Sequence, residues 1–292
     1  MFDNGALYIN LTKRKDSTMN NKLQGFNVLL MGAAGSGKTY SIGTLCDTGL
    51  EVFYLALENG LESLLGYYRD NGKEVPQNLH WARIKPPATS FMDMAEVAGK
   101  INSLSFEALC KMTDPKRNKY STMIDIFKLL NNFKDDRTGQ EFGDVSTWGN
   151  DKVLVIDALT GINEAALNLV AGGKPVKNMT DWGIAQSQII NLITKLCDDC
   201  PCHFVLLSHI ERETDQVLGG SKIMIATLGK ALAPKIPVKF SDVILASRNG
   251  NKWVWDTANP TADTKTRNLT ISNNITPDFR LIYDKWKSRG NI

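Results

Sequence analysis

The residues whose types and spacing bear chemistry begin at Gly32. Gly32, Ala33, Ala34, Gly35, Ser36, Gly37, Lys38 and Thr39 satisfy G-x-x-x-x-G-K-[ST] at every fixed position, and Tyr40 follows. An apolar run over residues 26–31 precedes them and a helix-compatible segment comes after. Strand, loop and helix in that order are the context this motif needs. The glycines allow a tight wrap that turns successive N–H groups toward phosphate oxygens. The helix N-terminus adds partial positive charge at the same place. Lys38 is placed to reach the β- and γ-phosphates of a nucleoside triphosphate, and the Thr39 hydroxyl to ligate Mg²⁺. A Gly-rich turn that matches by chance is the plain alternative; so long a match in this context weighs against it.

Two acids and a histidine stand at the ends of other apolar runs. Lys152 and four apolar residues lead to Asp157, a strand-tip acid suited to hold Mg²⁺ directly or through water. Turn chemistry alone also favours Asp there. Residues 51–57 read as a buried strand of a parallel sheet, ending in Glu58, Asn59 and Gly60. A carboxylate just past such a strand faces the ligand crevice, where it can polarise an attacking water. A helix N-terminal glutamate favoured by the macrodipole is the other reading. Residues 204–207 form a further strand ending in Ser208 and His209. If it neighbours residues 152–157, His209 is able to sense the γ-phosphate by hydrogen bonding; a turn histidine is the alternative.

The elements that must position these groups can be read along the chain. At 292 residues there is room for one large α/β domain with an insertion. Residues 1–24 read as an N-terminal extension, with Lys13, Arg14 and Lys15 a solvated tail rather than a DNA arm. Helices are expected over 41–47, 60–69, 90–109, 121–133 and 162–171, with a third short strand over 79–84 and a break at Pro86 and Pro87. Residues 110–150 are an insertion, with basic-aromatic character over 116–120. Residues 172–177 form a flexible basic loop, and Asp181 is expected to cap the amphipathic helix that ends at Leu196. Cys197, Cys200, Cys202 and His203 are too crowded for a structural zinc site, which uses separated ligand pairs, and read as buried thiols. Residues 211–227 read as a long flexible loop on the ligand side. Residues 240–246 and 253–255 flank turn chemistry over 248–251 and give a hairpin, and 269–271 a last short strand.

Composition bounds the class. Apolar residues make up 42% and charged residues 22%, ordinary for a soluble globular protein. No apolar run approaches the ~18–20 residues of a membrane helix, so no membrane partner is expected. The N-terminus lacks signal architecture, and five cysteines suit a reducing compartment. A net charge of +3 neither requires nor excludes nucleic acid, so DNA contacts would come from local loops.

Over residues 25–290 these features resemble the RecA-like ATPases, and more narrowly the phage single-strand annealing ATPases of the Sak type. The motifs that carry the resemblance are Leu57-Glu58-Asn59-Gly60-Leu61, the single acid Asp157 followed by Ala158, Leu159 and Thr160, and Leu207-Ser208-His209. Gly229 to Lys235 leading to Phe240, and the terminal Lys287-Ser288-Arg289-Gly290, add to it. The resemblance implies an α/β fold: a RecA-like P-loop NTPase core with a mostly parallel twisted sheet, helices on both faces and a C-terminal β-hairpin, over residues 25–292. It implies ATP and Mg²⁺ as cofactors, with Glu58 activating water because no second acid follows Asp157. It gives His209 the sensor position, where the family often has Gln. It assigns DNA to two loops, one with Lys174 and Lys177, the other with Arg212 and Lys222, although the second starts with Glu211 and Glu213. Lys287 and Arg289 look like the Lys-x-Arg pair of ring helicases, which reaches a neighbouring subunit's γ-phosphate. The implied function is ATP hydrolysis coupled to single-stranded DNA in recombination or annealing. The protein would act as a homo-oligomeric ring or filament in the cytoplasm of a bacterial host, with a single-strand-binding or replication protein as a further partner. A motor (ring helicase or DNA-packaging ATPase) and a nucleotide-switched loader with little turnover are the competing readings; a small-molecule kinase is more distant.

Overall fold

Strands buried on both faces need apolar side chains pointing both ways, so they appear in the sequence as continuous apolar runs rather than alternations. The computed structural model describes residues 24–86, 90–112, 120–214 and 220–290. Its strands are β1 (Asn27–Gly32), β2 (Glu51–Ala56), β3 (Leu79–Arg83), β4 (Lys152–Asp157), β5 (His203–Ser208), β6 (Ile210–Thr214), β7 (Ser221–Ile225), β8 (Asp242–Asn249) and β9 (Lys252–Asp256). Its α-helices are α1 (Lys38–Ser41), α2 (Gly43–Cys46), α3 (Leu61–Asp70), α4 (Phe91–Ser103), α5 (Phe106–Lys111), α6 (Thr122–Asn131), α7 (Leu159–Ala171), α8 (Met179–Thr194) and α9 (Phe279–Arg289). One seven-stranded sheet runs in the order β3-β2-β4-β5-β1-β8-β9. All neighbours in it are parallel except the last pair, the antiparallel hairpin β8–β9. This is the α/β fold with a C-terminal hairpin that the sequence leads one to expect.

Alternate residues of each strand feed two cores. Leu29, Phe53, Leu154 and Leu206 face one layer with α6, α7 and α8. Val28, Val52, Val153 and Val205 face the other with α2, α3 and α9. Parallel strands joined through helices place all their C-terminal ends on one edge of the sheet, where ligands of such folds gather. Here β1, β2, β4 and β5 end side by side, carrying the phosphate loop, Glu58, Asp157 and His209 to the same edge.

Several elements differ from expectation for local reasons. The helix over 90–109 is two helices, because Leu104 and Ser105 take extended conformations and Ser105 caps α5. Asn178, not Asp181, is the N-cap of α8; Asp181 is the reciprocal partner three residues on, completing a capping box. Residues 210–214 and 221–225, expected in a flexible loop, instead pair as an antiparallel hairpin, β6–β7, whose Ile223 and Ile225 are buried against the core; residues 215–219 lie outside the described residues. Residues 269–271 form no strand. Lys287 and Arg289 lie on the last turn of α9 rather than on a late strand. Residues 1–23 of the expected N-terminal extension, including Lys13, Arg14 and Lys15, together with Pro87 and residues 116–119 of the basic-aromatic stretch, lie outside the described residues. No helix among the described residues is long and apolar enough to cross a membrane.

The insertion has one clear structural task. Asp135, fully buried, accepts the Trp81 amide at 3.2 Å and lies 3.3 Å from His80 Nδ1. Asp136 donates its own amide to the Trp81 carbonyl and accepts the Arg83 amide. The free side of β3 is thus covered by residues 135 and 136.

The cysteine cluster is structural too. His203 accepts the Phe26 amide on Nδ1 at 2.9 Å and uses Nε2 on the Asn150 carbonyl at 3.1 Å, so both ring nitrogens are committed. Burial pushes the thiols of Cys197 and Cys202 up to about 12 and that of Cys200 up to about 11. Burial also lowers the His203 imidazole from 6.5 to about 4. An unfolded chain therefore binds a proton at this residue that the folded chain refuses. The resulting stability is complete above about pH 6.5 and is lost as pH falls toward 4. Urea denaturation at pH 7 and pH 5 should show the wild type losing on the order of 1–2 kcal/mol more than His203→Gln over that interval; equal losses would remove His203 as the cause.

Candidate active site

Between Gly32 at the end of β1 and Lys38 at the start of α1, the chain turns tightly, with Gly35 and Gly37 at φ of 74° and 81°. Only glycine adopts such angles without strain. Gly37 also has no room for a side chain: a Cβ there would lie 2.6 Å from the indole of Trp253. Lys38 is buried, its ammonium donating to the carbonyls of Gly32 at 2.8 Å and Ala33 at 2.9 Å. Burial lowers its pKa, opposed by the charges of Asp157 and Glu58. The ammonium is thus folded back under the loop.

Asp157 joins three elements. Its Oδ2 accepts the Thr39 hydroxyl at 2.7 Å and the Tyr54 hydroxyl at 2.5 Å. Its carbonyl accepts the amides of Leu57 at 2.7 Å and Glu58 at 3.2 Å, fastening the tip of β2 to that of β4. Burial raises the carboxyl's pKa and the charge of Glu58 adds to this, while Tyr54, Thr39 and Lys38 oppose it. Tyr54 is pushed up by its own burial and by Asp157, so it remains a donor. The peptide bond between Asp157 and Ala158 is cis. Thr39 and Asp157 together offer hard oxygen donors within hydrogen-bond distance of each other, the donor type that Mg²⁺ takes.

Glu58 and His209 meet, with Glu58 Oε2 3.1 Å from His209 Nε2 and both side chains about one-third exposed. β4 and β5 are neighbours, so the condition set on His209 by the sequence holds. His209 also leads directly into β6.

Two aromatic residues in contact with the phosphate loop were not both foreseen. Trp253, on β9, donates Nε1 to the Gly35 carbonyl at 3.1 Å and packs against Tyr40 with ring centroids 4.8 Å apart. Tyr40 meets Tyr67 edge-on at 5.3 Å. They border a cavity of about 570 Å³ lined also by Thr44, Asn249 and Asn274. Only the hairpin signal around residues 248–255 hinted at Trp253, and nothing in sequence linked it to a loop more than two hundred residues earlier.

The remaining sequence-derived residues are placed elsewhere. Lys174 pairs with Asp181 at 3.2 Å and Lys222 with Asp263 at 2.9 Å. Lys177 and Arg212 are exposed and form no ion pair among the described residues. Lys287 and Arg289 follow Trp286 on α9, and Trp286 packs on Phe26 and His203 at the beginnings of β1 and β5. That is the edge opposite the phosphate loop, separated from it by the length of β1, roughly 20 Å at ~3.3 Å per residue.

A phosphate loop, a strand-tip Asp157 joined to Thr39 and a parallel sheet define the class. Residues 24–274 match the family described as the AAA domain. The chain belongs to this family and is a P-loop ATPase. A search of curated protein sequences returned no match. Among solved structures it is similar to the assembled ATPase EscN in complex with its central stalk EscO, from the type III secretion system of enteropathogenic E. coli. Identity is 12% and the TM-score 0.41, over 92% of this chain and 53% of that one. The chain spans about half the length of EscN, and so loose an overlap assigns nothing further.

Gly60 gives this site a direct test. A Cβ at Gly60 would lie 2.3 Å from Asp157 Oδ2 and 2.4 Å from the Tyr54 hydroxyl. Gly60→Ala should therefore cost about 1–3 kcal/mol in urea denaturation, by forcing the hydroxyl–carboxylate contact apart. In Tyr54→Phe/Gly60→Ala the added cost should shrink; purely additive costs would show that the contact is not what the methyl disrupts.

Proposed function

We propose that this P-loop ATPase hydrolyses ATP with Mg²⁺ and couples the hydrolysis to single-stranded DNA, in strand annealing or recombination of the phage Sak type. The observation that carries the reading is the Glu58–His209 contact: a carboxylate at the tip of β2, no acid after Asp157, and a partner on the strand that runs into the β6–β7 hairpin. In this proposal the amides of residues 32–37 receive the phosphates and Lys38 swings from the Gly32 and Ala33 carbonyls to neutralise them. Thr39 and Asp157 hold the metal, which when bound offsets the charge on the β- and γ-phosphate oxygens. Glu58 orients the attacking water and takes its proton, and His209 reports the state of the γ-phosphate to the hairpin. Tyr40 and Trp253 border the space for the base. Lys287 and Arg289, being on the far edge from their own phosphate loop, would serve a neighbouring copy in a ring or filament. Lys174, Lys177, Arg212 and Lys222 are the candidate DNA contacts by resemblance. A cytoplasmic setting with a single-strand-binding or replication protein as partner completes the reading.

The test is steady-state ATP hydrolysis without DNA, with single strands and with duplex. Lys38→Ala should abolish turnover, and single strands alone should stimulate the wild type. Turnover retained in Lys38→Ala sinks the site assignment, and turnover indifferent to DNA sinks the coupling. Glu58→Gln should lower kcat by ~10²–10⁴ while ATP still binds; an unchanged kcat would move the base elsewhere. Trp253→Ala should weaken ATP binding by about tenfold through lost stacking, with intrinsic fluorescence of the wild type changing on nucleotide addition; unchanged affinity would remove Trp253 from the base site.

A further inference from the structure

A second concave site lies on the N-terminal edge of the sheet, at the opposite end of β1 from the phosphate loop. It is a cleft of about 340 Å³ between the starts of β1 and β8, the turn after α8 and the segment 265–268. Lys239, Lys265, Arg267 and Arg289 line it, with Asp198 the one acid among its lining residues and Trp286 an aromatic wall. Lys239 pairs with Asp198 at 3.1 Å. Lys265 donates to the Val238 carbonyl at 3.2 Å, and Arg267 has no ion pair among the described residues. Burial, reinforced by the neighbouring Arg267, lowers the Lys265 pKa, with Asp242 acting the other way.

The backbone that carries Lys265 and Arg267 is held in place by a dedicated device. Asp242 is fully buried at the first position of β8. Its Oδ1 accepts the Thr266 hydroxyl at 2.7 Å and the amides of Arg267 and Asn268 at 2.8 and 2.9 Å. Its Oδ2 accepts Asn268 Nδ2 at 2.6 Å and the Ser241 hydroxyl at 2.8 Å. Lys265 is pinned as well, by two backbone bonds to Val243. With its oxygens spent in this way, Asp242 fixes the segment that presents Lys265 and Arg267. Asn27 and Asn268 also line the cleft, only 9% and 3% exposed, and each retains an amide oxygen without a hydrogen-bond partner. Their nitrogens are committed to the Cys197 carbonyl and to Asp242, which sets the orientation of both amides. Both of these oxygens are sealed from solvent, so what the cleft offers a ligand is cations on a fixed backbone beside an aromatic wall, which suits phosphates joined to planar bases.

We propose that this cleft is a single-strand nucleic-acid contact, with Lys265 and Arg267 on successive backbone phosphates and Trp286 beside the bases. The proposal rests on the single-strand reading above and adds a location that reading did not contain. A positive groove with an aromatic wall is the chemistry that holds single strands without sequence preference. The hairpin favoured by resemblance is less suited to phosphates, because Lys222 pairs with Asp263 and Lys230 with Glu213.

The experiment is fluorescence anisotropy of a labelled oligo-dT on the full-length chain, titrated with salt. Lys265→Glu/Arg267→Glu should raise Kd at least about tenfold and reduce the salt slope by about 1.4, with DNA-free ATP turnover unchanged. Lys265→Gln/Arg267→Gln, milder for folding, should move Kd in the same direction by a smaller factor. An unchanged Kd in both, with a raised Kd in Arg212→Glu/Lys222→Glu, would place the strand on the hairpin and overturn this proposal alone. No oligonucleotide binding by the wild type would overturn the single-strand reading and this proposal with it. Displacement of the oligonucleotide by an equal concentration of inorganic phosphate would make the cleft a small-anion site and overturn it too.

Discussion

Asp157 Oδ2 receives two hydroxyls, from Thr39 behind the phosphate loop and from Tyr54 in the middle of the sheet, while the Asp157 carbonyl receives the amides at the tip of β2. A buried carboxylate is costly unless its lone pairs are met by donors. Here those donors come from β2 and α1, so meeting them forces β1, β2 and β4 into a single register at their C-terminal ends. The position of Glu58 follows, because its amide is one of the bonds. So does the need for Gly60, which passes too close to the carboxylate to carry a side chain. One acid thus sets the geometry of a site whose parts are far apart in the chain.

The parts legible in sequence were those whose cause is local. The phosphate loop has its own spacing, and β1, β2, β4 and β5 are apolar throughout because both faces are covered. Glu58, Asp157 and His209 could be named because each ends such a run. Tyr54 could not, since a tyrosine inside an apolar strand looks like core until its hydroxyl has a partner on another strand. Trp253 was hidden for the same reason. The β6–β7 hairpin was misjudged because glycines and charges around residues 211–222 outweighed the two-residue spacing of Ile223 and Ile225. The α9 helix was obscured by its charges, although Phe279, Ile282, Tyr283 and Trp286 recur at helical intervals.

The sheet separates two electrostatic settings. At the C-terminal edge, Lys38 faces Asp157 and Glu58, and the cation is partly balanced before any ligand arrives. At the N-terminal edge, Lys265 sits beside Arg267 with the nearby carboxylate of Asp242 already engaged in five hydrogen bonds. Trp286 and the committed ring of His203 tie α9 to this second edge, so the helix carrying Lys287 and Arg289 is part of the core and not an appended tail.

The cover over the free side of β3 has a consequence for how copies of this protein can meet. An outermost strand with bare amides and carbonyls is a template on which a second molecule can add a strand, the usual origin of runaway sheet growth. In this chain the side chains of Asp135 and Asp136 take the Trp81 and Arg83 amides, and the Asp136 amide takes the Trp81 carbonyl. Growth by strand addition is closed on that side, so copies of this chain that assemble do not extend the sheet from β3.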